Sequence, residues 1–131
     1  MDMFEKIVAW NQERGLIEKG FNHEKEASFI IEELLESTGV IESEEAREES
    51  EEISEKVITH TPLDKTIIVD ALADIIVYAT GGIAKLGYNP SKVMDEVYKE
   101  INSRTGKLID GKFVKDPNVK KYEADFTICK Y

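Results

Sequence analysis

The chain has 131 residues, 41% of them hydrophobic and 34% charged, and its 27 acidic against 17 basic side chains leave a net charge of −10. That size predicts one domain, residues 1–131, with a real core, and the regular apolar spacing excludes a wholly disordered acidic chain. The charge argues against nonspecific binding to nucleic acid or anionic lipid, which needs clustered Lys and Arg. The lone Cys129 excludes an intramolecular disulfide and fits a reducing, cytoplasmic compartment. The start, Met1-Asp2-Met3-Phe4-Glu5, lacks the basic and then apolar chemistry of a secretion signal.

Residues 2–19 place Phe4, Ile7, Val8, Leu16 and Ile17 at helical intervals, so an amphipathic helix is expected, with Gly15 a point of interruption and Gly20 a stop. Asn22 is an N-cap for a second helix reaching about Ser37, closed by Thr38-Gly39. A glutamate-rich stretch over 42–58, broken by Arg47 and Lys56, reads as either a solvated helix or a linker. Between residues 66 and 84 the only charges are Asp70 and Asp74, and apolar residues surround the whole helical wheel. Such a helix is buried in a soluble bundle or crosses a membrane. Two central aspartates, at about 2.5–3.5 kcal/mol each on insertion scales, weigh against the membrane. Gly87 closes this helix. Asn89-Pro90 opens another, with Val93, Met94, Val97, Tyr98 and Ile101 as its inner face. Past Arg104 the helical period fades, and Asp110-Gly111 between short apolar pairs predicts a small hairpin within an extended tail, 105–131. The whole is expected to be all-α, a four- to five-helix bundle with a short irregular or hairpin C-terminal tail.

Carboxylates carry the candidate chemistry. On the second helix Ile30, Ile31, Leu34 and Leu35 share one side, and Glu26, Glu32, Glu33 and Glu36 share an arc on the other. An acidic arc is the ordinary wet face of such a helix, but Phe29 in its middle points to partial cover. Asp70 and Asp74, four apart, lie on one face of a helix that offers water nothing else. Buried together they would repel and need a compensating cation, from a distant basic side chain or a metal. Three of those glutamates with the two aspartates make five carboxylates from two helices, an all-oxygen set that suits Mg²⁺, with Mn²⁺ as substitute, rather than zinc. A water polarised there can attack phosphorus, so hydrolysis of a phosphoanhydride is the expected reaction class.

The series Glu32-Glu33-Leu34-Leu35-Glu36, Asp70 to Tyr78 (DALADIIVY), Leu86-Gly87-Tyr88, Glu96-Val97 and Asn102 resembles the all-α nucleotide pyrophosphohydrolases. Within them, Asp110 to Pro117 (DGKFVKDP) is similar to the tail of the MazG-like and phosphoribosyl-ATP pyrophosphohydrolase-like branch. The resemblance implies a MazG-like helical fold that splits a nucleoside triphosphate into monophosphate and pyrophosphate, working as a homodimer or dimer of dimers in nucleotide-pool cleansing. It makes Glu32, Glu33, Glu36 and Asp74 metal ligands, with Asp70 as a further ligand or an outer partner. Glu33 or Glu36 would orient or deprotonate the attacking water. Asn102 would face the substrate, and Lys107, Lys112 and Lys115 lie where basic residues of that branch reach phosphate. The acidic residue usual three positions before the final aspartate is Ala71 here, a departure from the pattern.

Trp10 and Arg14, four apart on the first helix, suit either a base stack with a phosphate contact or core packing with a surface ion pair. His23 and His60 have no partner at ligand spacing, and Cys129 lacks a neighbouring base. An alternative reading of the chain is a catalytically silent helical module that binds nucleotide or Mg²⁺, for which Ala71 speaks. A third is a purely structural acidic bundle.

Overall fold

Asp2 opens the chain's first helix with a reciprocal cap: its carboxylate accepts the Glu5 N–H at 2.8 Å, and the Glu5 carboxylate accepts the Asp2 N–H at 3.2 Å. This computed structural model describes residues 1–58, 62–104, 106–110, 112–116 and 122–131. They form two compact units, residues 20–65 and residues 1–19 with 66–131. The fold is all-α, with five helices, a short 3-10 turn near the C-terminus and an appended strand pair.

In the first of these units, α2 (His23–Glu36) starts at Asn22, whose side chain accepts the Lys25 N–H at 3.1 Å. It stops at Ser37, followed by Gly39 at φ +75°. The glutamate-rich stretch is the helix α3 (Ser43–Ile58), which settles the choice between helix and linker. These two helices pack together. Their buried residues are Ser28 and Glu32 on α2 and Ala46, Ser50 and Ser54 on α3. The α3 set recurs every four residues, so small side chains line one face and admit a close neighbour. Glutamates dominate the remaining faces of α3, where they stay in water.

The other unit begins with α1 (Met3–Glu13). It ends six residues short of the expected 2–19 because Gly15 takes φ +71°, a left-handed turn that a helix cannot continue through. The apolar helix is α4 (Lys65–Lys85), and none of its residues is buried. Here the expectation of a buried central helix is corrected: a helix apolar on every side needs cover on several sides, and within its own unit no described element packs on it. Next, α5 (Pro90–Asn102) begins at Asn89, whose side chain accepts from the Ser91 and Lys92 N–H groups. Val93, Met94, Val97, Tyr98 and Ile101 are all half-buried, as their spacing predicts. Both α1 and the 3-10 turn Phe126–Cys129 pack on α5.

Between them, β1 (Gly106–Ile109) and β2 (Lys112–Lys115) pair antiparallel, with Ile109 opposite Lys112. Asp110 sits at φ +51°, the left-handed geometry that a two-residue hairpin loop requires. Gly111, His60 and Pro117 lie outside the described residues. The tail is thus a hairpin and a 3-10 turn rather than extended throughout. Among the described apolar residues only Ala46 and Cys129 are buried.

Candidate functional site

The carboxylates of α2 differ sharply in surroundings. Glu32 is 4% exposed, with the Arg47 Nε of α3 at 3.4 Å from its Oε1. Glu36 is half-buried and Glu33 exposed. Half-buried Glu26 has its carboxyl raised above the ordinary range by desolvation. The acidic arc is therefore covered at its Glu32 edge, in line with Phe29 standing among these residues. The apolar Ile30 and Leu34 face outward instead, and Leu34 is 69% exposed.

In the other unit, Asp70 and Asp74 stand one turn apart on α4, both exposed, with Ala71 exposed beside them. The donor set is all oxygen, which fits a hard cation such as Mg²⁺ or Mn²⁺. Among the described residues no three His, Cys, Asp or Glu side chains gather into a metal-holding group. Asn102 is exposed at the last position of α5. Lys107 stands on β1 opposite Val114, Lys112 opposite Ile109, and Lys115 opposite Gly106.

Trp10 and Arg14 are held within their own unit. The indole N–H donates to the Ile101 carbonyl at 3.1 Å, and the Arg14 guanidinium lies 4.2 Å from the indole ring centre. Arg14 also donates to the Trp10 carbonyl at 3.1 Å and approaches Glu13 at 3.6 Å. These are the contacts of a packing anchor.

The most completely coordinated carboxylate lies outside the acidic groups of α2 and α4. Glu96 on α5 is 2% exposed and accepts from the Tyr122 hydroxyl, from the Asp125 N–H at 3.0 Å and from the Lys99 ammonium at 3.0 Å. Those donors hold its carboxyl down at about pKa 2, the Tyr122 bond contributing most. Their hydrogen bonds to Glu96 in turn keep the Tyr122 hydroxyl and the Lys99 ammonium protonated above their ordinary ranges. Burial pushes the neighbouring Cys129 thiol up, away from nucleophile chemistry. The sequence does hold a signal for this cluster: Glu96, Glu100 and Ser103 fall at i, i+4 and i+7, a polar strip along the inner face of α5. Their partners, 19 to 29 residues away along the chain, carry no comparable mark. No family model, curated protein or solved structure matches this chain.

Proposed function

We propose that this protein is a Mg²⁺-dependent nucleoside triphosphate pyrophosphohydrolase with a MazG-like helical bundle, releasing pyrophosphate and a nucleoside monophosphate. The observation that carries the reading is the ordered acidic series, with Glu32, Glu33 and Glu36 on one helix and Asp70 and Asp74 one turn apart on another. Together with Asn102 and the lysines of the hairpin, it follows the pattern of the nucleotide pyrophosphohydrolases that the sequence resembles. In this reading Glu32, Glu33, Glu36 and Asp74 would hold the metal, with Asp70 as a further ligand or an outer partner. The cation supplies charge neutralisation on the phosphates and lowers the pKa of a bound water. Glu33 or Glu36 orients that water or takes its proton, and Asn102 with Lys107, Lys112 and Lys115 holds the nucleotide. The Ala71 departure bears on the metal count rather than on the site itself.

The working form is a homodimer or a dimer of dimers, cytoplasmic, with no nucleic acid or membrane partner. The sparse burial of apolar residues supports a second copy, as does α4, which is long and apolar enough to cross a bilayer yet has no buried residue. Asp70 and Asp74 make insertion costly, and a second copy covers the same apolar surface without that cost.

Pyrophosphate release from a panel of canonical and modified NTPs and dNTPs, with Mg²⁺ or Mn²⁺, tests the reading. Wild type is expected to turn over at least one of them, and Glu36→Gln to lose about 100-fold or more of that activity. Silence across the panel sinks it. Nucleotide binding by calorimetry without turnover favours the catalytically silent module, the reading that Ala71 supports.

A further inference from the structure

We propose that two copies of the chain pair antiparallel through the outer face of α4, so that Lys85 of the partner subunit neutralises Asp70 in each copy. This rests on the homodimer of the proposed function and gives it a helix face, a direction and a register.

At about 100° per residue, Asp70, Asp74, Val77, Tyr78, Gly81 and Lys85 fall within one arc of roughly 100° on α4. That arc is the water side of the helix. Tyr78, at 80%, Val77 and Ile67 are the three most exposed large apolar side chains of α4, and Ile67 stands on the same side. Ile68, Leu72 and Ile83, on the opposite arc, are half-buried.

The spacing on this face points to its occupant. From Asp70 to Lys85 the steps between its residues are four, three, one, three and four, the same in either direction. A second α4 running the opposite way therefore sets Asp70 level with Lys85 and Asp74 level with Gly81, with Val77 and Tyr78 at the two-fold axis. Each contact is then made twice. A parallel copy would set Asp70, Asp74 and Lys85 each against itself, like-charge contacts that are costly at an interface. Among the described residues neither Asp70 nor Lys85 has an ion-pair partner in its own chain.

Gly81 is a second mark on the same face. A glycine inside a helix costs about 1 kcal/mol relative to alanine. A Cβ at this position would meet nothing within 4 Å, so the chain's own packing does not call for the bare backbone. A second helix approaches closely there. In this pairing Asp70 is the outer partner, tied to a lysine, and Asp74, facing a glycine, stays open to a cation.

Charge reversal tests the pairing, read as the dissociation constant of the dimer by sedimentation. Asp70→Lys and Lys85→Glu each turn two attractions per dimer into two repulsions, and each should weaken association about 10- to 100-fold. The double variant restores both pairs with their signs exchanged, and should return to within about 3-fold of wild type. Both positions are exposed in the single chain, so neither change disturbs its packing, and circular dichroism checks the fold.

Cysteine cross-linking tests the direction. Position 77 lies beside the axis, and Val77→Cys should form a disulfide-linked dimer on oxidation. Ile67→Cys should not, because its two copies stand about 30 Å apart in this register. Wild type, whose Cys129 is buried, is the control. Equal cross-linking at both positions, none at Val77→Cys, a double variant as weak as the singles, or a wild type that sediments as one chain overturns the proposal. None of these readouts needs nucleotide hydrolysis. A chain that meets them all but releases no pyrophosphate loses the pyrophosphohydrolase reading alone.

Discussion

The indole N–H of Trp10 on α1 reaches the carbonyl of Ile101 in the last turn of α5, bridging 91 positions of chain with one 3.1 Å hydrogen bond. The Ile101 carbonyl also accepts the Arg104 N–H at 3.2 Å, so the indole adds a second donor to the end of α5 and ties α1 to it. Arg14 covers the ring face. Trp10→Phe should therefore destabilise the protein by about 1–2 kcal/mol, from the lost hydrogen bond and the smaller ring. Denaturant unfolding checks this. The KM for nucleotide separates the two uses of Trp10: unchanged KM fits the anchor, and a large rise means that the indole also stacks on the base.

Glu96 gives the tail a pH dependence with a definite sign. Its folded pKa of about 2 lies below the ordinary 4.5 of a glutamate, so its contribution is full above pH 4.5 and fades as pH falls toward 2. Tyr122 and Lys99 are shifted the other way, so their share is lost as pH rises past their raised values, above 10.0 and 10.5 respectively. The melting temperature of wild type should fall between pH 4.5 and 2 more steeply than that of Glu96→Gln. Parallel curves for the two proteins would remove Glu96 from the account.

How far the sequence carries depends on the range of the interaction. Asn22, Asn89 and Gly87 each act on the backbone within a few residues, and the helices they cap or close begin and end where the sequence indicates. Gly15 ends α1 for the same local reason. The Asp110 hairpin was also legible, since a two-residue loop needs a residue tolerant of positive φ. Burial was not legible in the same way. The apolar pattern of α4 shows that it seeks cover, but periodicity does not say what covers it, and in a single chain none of its residues is buried. On α2 the wheel groups Leu34 with Ile30, Ile31 and Leu35 on the apolar side, whereas α3 covers Ser28 and Glu32 with the small stripe of Ala46, Ser50 and Ser54. The acidic candidates were readable as motifs. The polar strip Glu96, Glu100 and Ser103 shows in the sequence, but the tail donors that meet it do not.

Arg47 offers a way to ask whether Glu32 takes a cation. Glu32 is nearly buried, and Arg47, its side chain half in water, stands 3.4 Å away. A partly exposed pair of this kind is worth about 1 kcal/mol at most. Arg47→Met should lower the melting temperature by a few degrees without metal, on the order of the shift that 1 kcal/mol gives a domain of this size. Added Mg²⁺ should restore more stability to the variant than to wild type if Glu32 is a ligand, because the cation then replaces the lost guanidinium. Equal Mg²⁺ shifts in both proteins would place Glu32 outside the metal set.

The apolar surface of α4 sets the last test. Val77 is 67% exposed and Ile76 48% exposed on a helix whose 18-residue core has mean hydropathy 1.8. Water-exposed apolar area on this scale is covered by association in most soluble proteins. A second copy supplies an identical helix, and isologous pairing closes the assembly at a fixed size. Sedimentation should therefore find wild type at a multiple of 14.9 kDa, and Val77→Asp should shift it toward a single chain. Binding to neutral phospholipid vesicles discriminates the competing use of the same surface. A chain that sediments as a monomer and partitions into the vesicles would assign α4 to the bilayer. It would then remove Asp70 and Asp74 from any metal site in water.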